Sequence, residues 1–80
     1  MYTLSAAVLR TNYMMEVMRY NAIEETWKQF EEADRKYYKT CEGGDRVTKL
    51  IHDLESYGVD YKDIIDRDLE IRDEVESEAA

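Results

Sequence analysis

Proline is absent from the 80 residues and glycine occurs three times, so few positions force a helix to stop. One cysteine excludes an internal disulfide, and the expected compartment is the reducing cytoplasm. Basic residues are scarce: 11 Lys and Arg stand against 19 Asp and Glu, a formal charge of −8. That balance argues against DNA or RNA as a direct ligand, because phosphate binding relies on clustered cations. No apolar run reaches the roughly 18–20 residues of a membrane span, since Arg10, Glu16 and Arg19 break the best candidate. No basic segment followed by an apolar run opens the chain, so a secretory signal is not expected.

Reactive groups are equally sparse. His52 is the single histidine and stands among helical apolar positions. Cys41 has Lys36 and Lys39 nearby but no base in its own segment to make it a nucleophile. The two form no zinc-ligand spacing. The carboxylates between Asp60 and Asp73 lack the order of a calcium loop, and isoleucines interrupt them on a helical period. No Glu-x-x-His pair is present to build a dimetal site. Neither enzyme activity nor a cofactor or metal is expected.

What is present suits helices: 44% of residues are apolar and 38% charged. The spacing predicts a long first helix over about residues 3–38, with no Gly or Pro inside it. Gly43 and Gly44 follow a basic stretch and read as its left-handed cap, with Asp45 as the N-cap of a second helix over about 46–57. Gly58 ends that helix. Asp60, with Asp63 three residues on, caps a third over about 61–77. The expected architecture is a single all-α domain, residues 1–80, with the long helix hairpinned against two shorter ones in a dimeric bundle.

On the first helix, a heptad count puts Ala6, Tyr13, Tyr20, Trp27 and Asp34 at one seam position and Leu9, Glu16, Ile23, Phe30 and Tyr37 at the other. A second apolar strip, Leu4, Ala7, Val8, Met14, Met15 and Met18, lies away from that seam. A helix apolar on two sides needs more cover than two short helices supply. Methionines there adapt to a partner's shape, so these six residues are the expected oligomer interface, most simply of a homodimer.

The third helix is strongly acidic. Residues 60–80 hold nine carboxylates against three bases. Tyr61, Ile64, Ile65, Leu69, Ile71 and Val75 cover one side of its wheel; Asp63, Asp66, Glu70, Asp73 and Glu74 cluster opposite. Their spacing is about 4.5–6 Å along the axis, similar to phosphates on a nucleic-acid strand. Asp68 and Arg72 fall on the apolar side, four residues apart, and are expected to pair there.

The reading is therefore a non-enzymatic, acidic protein-binding module. Its expected partner is a protein with a basic groove, not nucleic acid and not a membrane. Small acidic helical proteins without motifs are often phage or mobile-element inhibitors of host machinery, anti-CRISPR proteins among them, and this chain is expected to be of that kind. The competing expectation is an assembly subunit that oligomerises through helix 1, its acidic face merely solvated.

Overall fold

The computed structural model describes the backbone of residues 6–79 and the side chains of residues 17–79. Within them the chain is all-α, with α1 over Ala6–Thr40, α2 over Gly44–Ser56 and α3 over Tyr61–Ala79. No strand is present among the described residues.

The turns follow from local chemistry, with one correction at the first. Cys41, not a glycine, takes the left-handed conformation after α1, at φ 59°, and its N–H bonds to the Tyr37 carbonyl at 2.7 Å. Gly43, at φ 84°, then becomes the N-cap of α2. Asp45 lies inside the first turn rather than at the cap, because the Val47 N–H already bonds to the Gly43 carbonyl at 3.2 Å. Its carboxylate still favours the positive end of the helix dipole.

The second turn is a Schellman motif. Val59 N–H reaches the Leu54 carbonyl at 3.1 Å and Gly58 N–H the Glu55 carbonyl at 3.0 Å, with Gly58 at φ 91°. Val59 also packs on the core beside Leu54, the apolar contact that accompanies this motif. Asp60 caps α3 as expected, its Oδ1 accepting from Lys62 N–H at 3.1 Å.

The contacts set the course of each helix. Tyr37 lies against Gly44 at one end of α2, while the Arg19 guanidinium donates to the Tyr57 carbonyl at 3.0 Å at the other. So α2 runs antiparallel to α1. Pairs Glu31–Arg67, Arg35–Glu74 and Lys39–Glu78 rise together, so α3 runs parallel to α1.

The core gathers at the C-terminal half of α1. Phe30, Leu54, Ile64 and Ile71 are fully buried, joined by Ala33, Val47, Leu50 and Val75. Trp27 closes it, edge-to-face with Phe30 at 5.8 Å and 77°. Burying one such large side chain contributes about 1.5–3 kcal/mol, so this cluster dominates the stability of so small a domain.

The heptad seam is corrected here. Tyr20 is 62% exposed and Tyr37 39% exposed, although both were seam positions. A single straight helix repeats every 3.6 residues, not 3.5, so a seven-residue register drifts off the buried face. The seam positions Trp27, Phe30 and Asp34 do pack, joined by Ala33, and the buried face leaves the seven-residue register at Tyr20 and Tyr37. Leu69 and Tyr61 of α3 are also exposed, at 41% and 56%, at the margin of its apolar arc.

Length then dictates an overhang. At 1.5 Å per residue α1 runs about 52 Å, against about 20 Å for α2 and 28 Å for α3. The tip of the α2–α3 turn meets α1 at Arg19. The backbone of α1 continues from there toward its N-terminus, past its two neighbours.

Candidate functional site

Three features separate from the core: the outward face of α3, the exposed stretch of α1 at Met18, and a pair of carboxyl groups between α1 and α3.

The five acids expected to form one ladder on α3 divide into two groups. Glu74 accepts from Arg35 of α1 at 2.6 Å and from Arg67 at 3.3 Å, and Glu70 accepts from Arg67 at 2.9 Å. Glu78 extends the set to Arg35 and Lys39, both at 3.4 Å. Arg67 reaches Glu31 of α1 as well, at 3.4 Å. These acids join α3 to α1 as well as facing solvent. The Arg35 hydrogen bond accordingly holds the Glu74 carboxyl below its ordinary range. Asp63, Asp66 and Asp73 are exposed and form no ion pair among the described residues. The split follows the wheel: Glu74 and Glu78 lie on the flank turned to α1, whereas Asp66 and Asp73 project away from the core.

Of the residues expected at an oligomer interface, Leu4 lies outside the described residues, as do the side chains of Ala7, Val8, Met14 and Met15. Met18 is described, and it is 65% exposed. Tyr20 joins it as an uncovered large side chain. The Glu24 carboxylate, one turn along, raises the pKa of the Tyr20 phenol as a hydrogen-bond acceptor and a negative charge.

The carboxyl pair is the least expected feature. Asp34 stands on the packed face of α1 and is 1% exposed. It meets Asp68 of α3 within hydrogen-bonding reach, while its Oδ2 has no partner. Asp68 accepts a hydrogen bond from the Tyr38 hydroxyl at 2.8 Å. Burial, then the bond to Asp68 and its charge, raise the Asp34 pKa to about 7, opposed by the Arg67 charge. Burial, then Asp68 and Asp34, push the Tyr38 phenol up to about 12, opposed by Arg72. The expected Asp68–Arg72 pair is not formed. Arg72 instead leans along α3 to Glu76 at 4.0 Å, while Asp68 turns to α1. A cleft of about 270 Å³ opens here, lined by both acids, Tyr37, Tyr38, Gly44, Val47 and Thr48.

Both halves of this pair stand out in the sequence, although nothing local joins them. Asp34 is the acid in an otherwise apolar seam position, and Asp68 the acid on the apolar side of α3. Two charges misplaced on two packing faces are the signal that they meet.

Cys41 and His52 are both exposed, and they are not joined in any cluster. No group of three His, Cys, Asp or Glu side chains that could hold a metal occurs among the described residues. No helix among them is long and apolar enough to cross a membrane. The chain matches no protein-family model, no curated protein and no solved structure at a significant level.

Proposed function

We propose that this chain is a non-enzymatic protein-binding module that occupies a basic, nucleic-acid-binding surface of a target protein through the outward face of α3. The class is that of small phage or mobile-element inhibitors of host machinery, with anti-CRISPR proteins as one form. The observation that carries the reading is the group Asp63, Asp66 and Asp73, exposed and without an ion pair among the described residues. Glu70 and Glu74 border them, at 64% and 45% side-chain exposure. Their ion pairs are of the surface kind, worth about 0–1 kcal/mol each, so a target's cations can take them over at little cost. Such a surface associates quickly through electrostatic steering and lets go as salt rises. The test is displacement of nucleic acid from a captured target across a salt series. Asp63→Lys, Asp66→Lys and Asp73→Lys together are expected to abolish displacement while leaving the helical circular dichroism unchanged. Undiminished displacement by that variant contradicts the reading.

A second reading is favoured by Met18 and Tyr20, exposed where α1 runs past its neighbours. Here α1 pairs with a second copy to form a homodimer, and the chain is an assembly subunit. An 80-residue chain buries a smaller share of its surface than a larger domain does, which favours such pairing.

A further inference from the structure

We propose that the cleft at Asp34 and Asp68 is a binding site for a primary alkylammonium ion, from a free amine or a lysine side chain. Neither acid of the cleft forms an ion pair with a cation among the described residues. Asp34 is 1% exposed with an unpartnered Oδ2, and Asp68 beside it accepts from the Tyr38 phenol and, while Asp34 keeps its proton, faces that carboxyl. A buried carboxylate without a cation or a full set of donors is costly, and a group that supplies both is drawn in.

The protein's own cations do not fill the role. The Arg67 guanidinium is committed to Glu31, Glu70 and Glu74, and Arg72 to Glu76. From α2, the lining residues Gly44, Val47 and Thr48 bring no charge at all. Tyr38 already donates its hydrogen to Asp68, and Thr48 donates its own to the Gly44 carbonyl at 3.1 Å. Both hydroxyl oxygens keep lone pairs and can accept from an incoming group, and the Tyr37 phenol oxygen can accept as well.

An ammonium head carries three N–H donors and no acceptor, which complements that lining. Its alkyl stem has a wall to lie on. Tyr37 and Tyr38 stand edge-to-face at 5.6 Å and 68°, with Val47 opposite. Aromatic faces also favour cations. The volume, about 270 Å³, suits a short stem rather than a drug-sized molecule. A hard divalent ion asks for six or more oxygens or several carboxylates, and no third acid joins the pair.

The ammonium competes with a proton. Asp34 holds its proton up to about pH 7, and the incoming cation must replace it. Affinity is therefore expected to rise about tenfold per pH unit up to pH 7 and then level off.

Backbone NMR of the full chain, titrated at pH 6, 7 and 8 with n-butylammonium, Nα-acetyl-lysinamide, tetramethylammonium and Mg²⁺, tests this. Shifts at Asp34, Tyr38, Thr48 and Asp68 that saturate in the millimolar range with butylammonium, and tighten with pH, support the site. Saturation by acetyl-lysinamide as well assigns a lysine source, and by butylammonium alone a free amine. Asp34→Asn and, should that variant lose its fold, Asp68→Asn are each expected to weaken binding at least tenfold. No saturable shift with either amine at pH 8 overturns the proposal. So does equal binding of tetramethylammonium, which has no N–H, preferential binding of Mg²⁺, or full affinity in a folded variant.

Discussion

Single residues decide more here than their number suggests. Asp34 is a fully packed acid whose proton is held to about pH 7, far above the usual carboxylate range. The unfolded chain gives up that proton near pH 4, so between about pH 4 and 7 only the folded state binds it. Stability is then highest at acid pH and falls by up to about 1.4 kcal/mol per unit as pH rises toward 7. Asp34→Asn keeps the shape, can donate to Asp68, and is expected to flatten this slope and exceed the wild type at pH 8. Urea unfolding of both proteins at pH 5 and pH 8 measures it; parallel slopes would show that Asp34 titrates normally. Cys41 makes the opposite point about backbone. A non-glycine side chain at φ 59° costs about 1 kcal/mol, so Cys41→Gly is expected to raise stability by about 0.5–1 kcal/mol in the same assay. Gly58→Ala, at φ 91° and close to the Arg19 guanidinium, is expected to lower it by about 1–2 kcal/mol.

Between elements, packing outweighs charge. The α1–α3 ion pairs of Arg35, Lys39 and Arg67 are all partly exposed, where each contributes about 0–1 kcal/mol. Glu74→Gln is accordingly expected to shift the unfolding midpoint slightly, and less still in high salt. Leu54→Ala, by contrast, empties a fully buried position and is expected to cost about 2–5 kcal/mol. Chemical denaturation of the two variants side by side checks the ranking. The elements themselves were largely legible, because glycines at 43, 44 and 58 and the Asp60 cap are local signals. What local signals cannot supply is register between helices. Asp68 was readable as an acid on an apolar face, but its partner depended on α3 lying parallel to α1. The chain alone offered Arg72, four residues away, and the fold offered Tyr38 and Asp34 instead. For the same reason the ladder on α3 looked uniform in sequence. Arg35, 39 residues away along the chain, takes up Glu74, and Arg67, held against Glu31 of α1, takes up Glu70 and Glu74.

At the scale of the molecule, two surfaces stand out among the described residues once the core is closed: the overhanging α1 around Met18 and Tyr20, and the acid face of α3. The first predicts a concentration-dependent dimer. Met18→Asp with Tyr20→Asp is expected to return it to a monomer of unchanged helix content in analytical ultracentrifugation. A wild type that stays monomeric at high concentration would remove that surface from the account. The second surface carries the central claim that the chain acts by offering negative charge to a basic protein groove. Its most direct measurement is retention of host proteins on immobilised wild type and on the Asp63→Lys, Asp66→Lys, Asp73→Lys variant, each followed by displacement of bound nucleic acid. The account predicts a nucleic-acid-binding protein held by the wild type, released by salt, freed of its nucleic acid, and lost from the variant. The same protein held equally by wild type and variant, or held without any loss of nucleic acid, would contradict it.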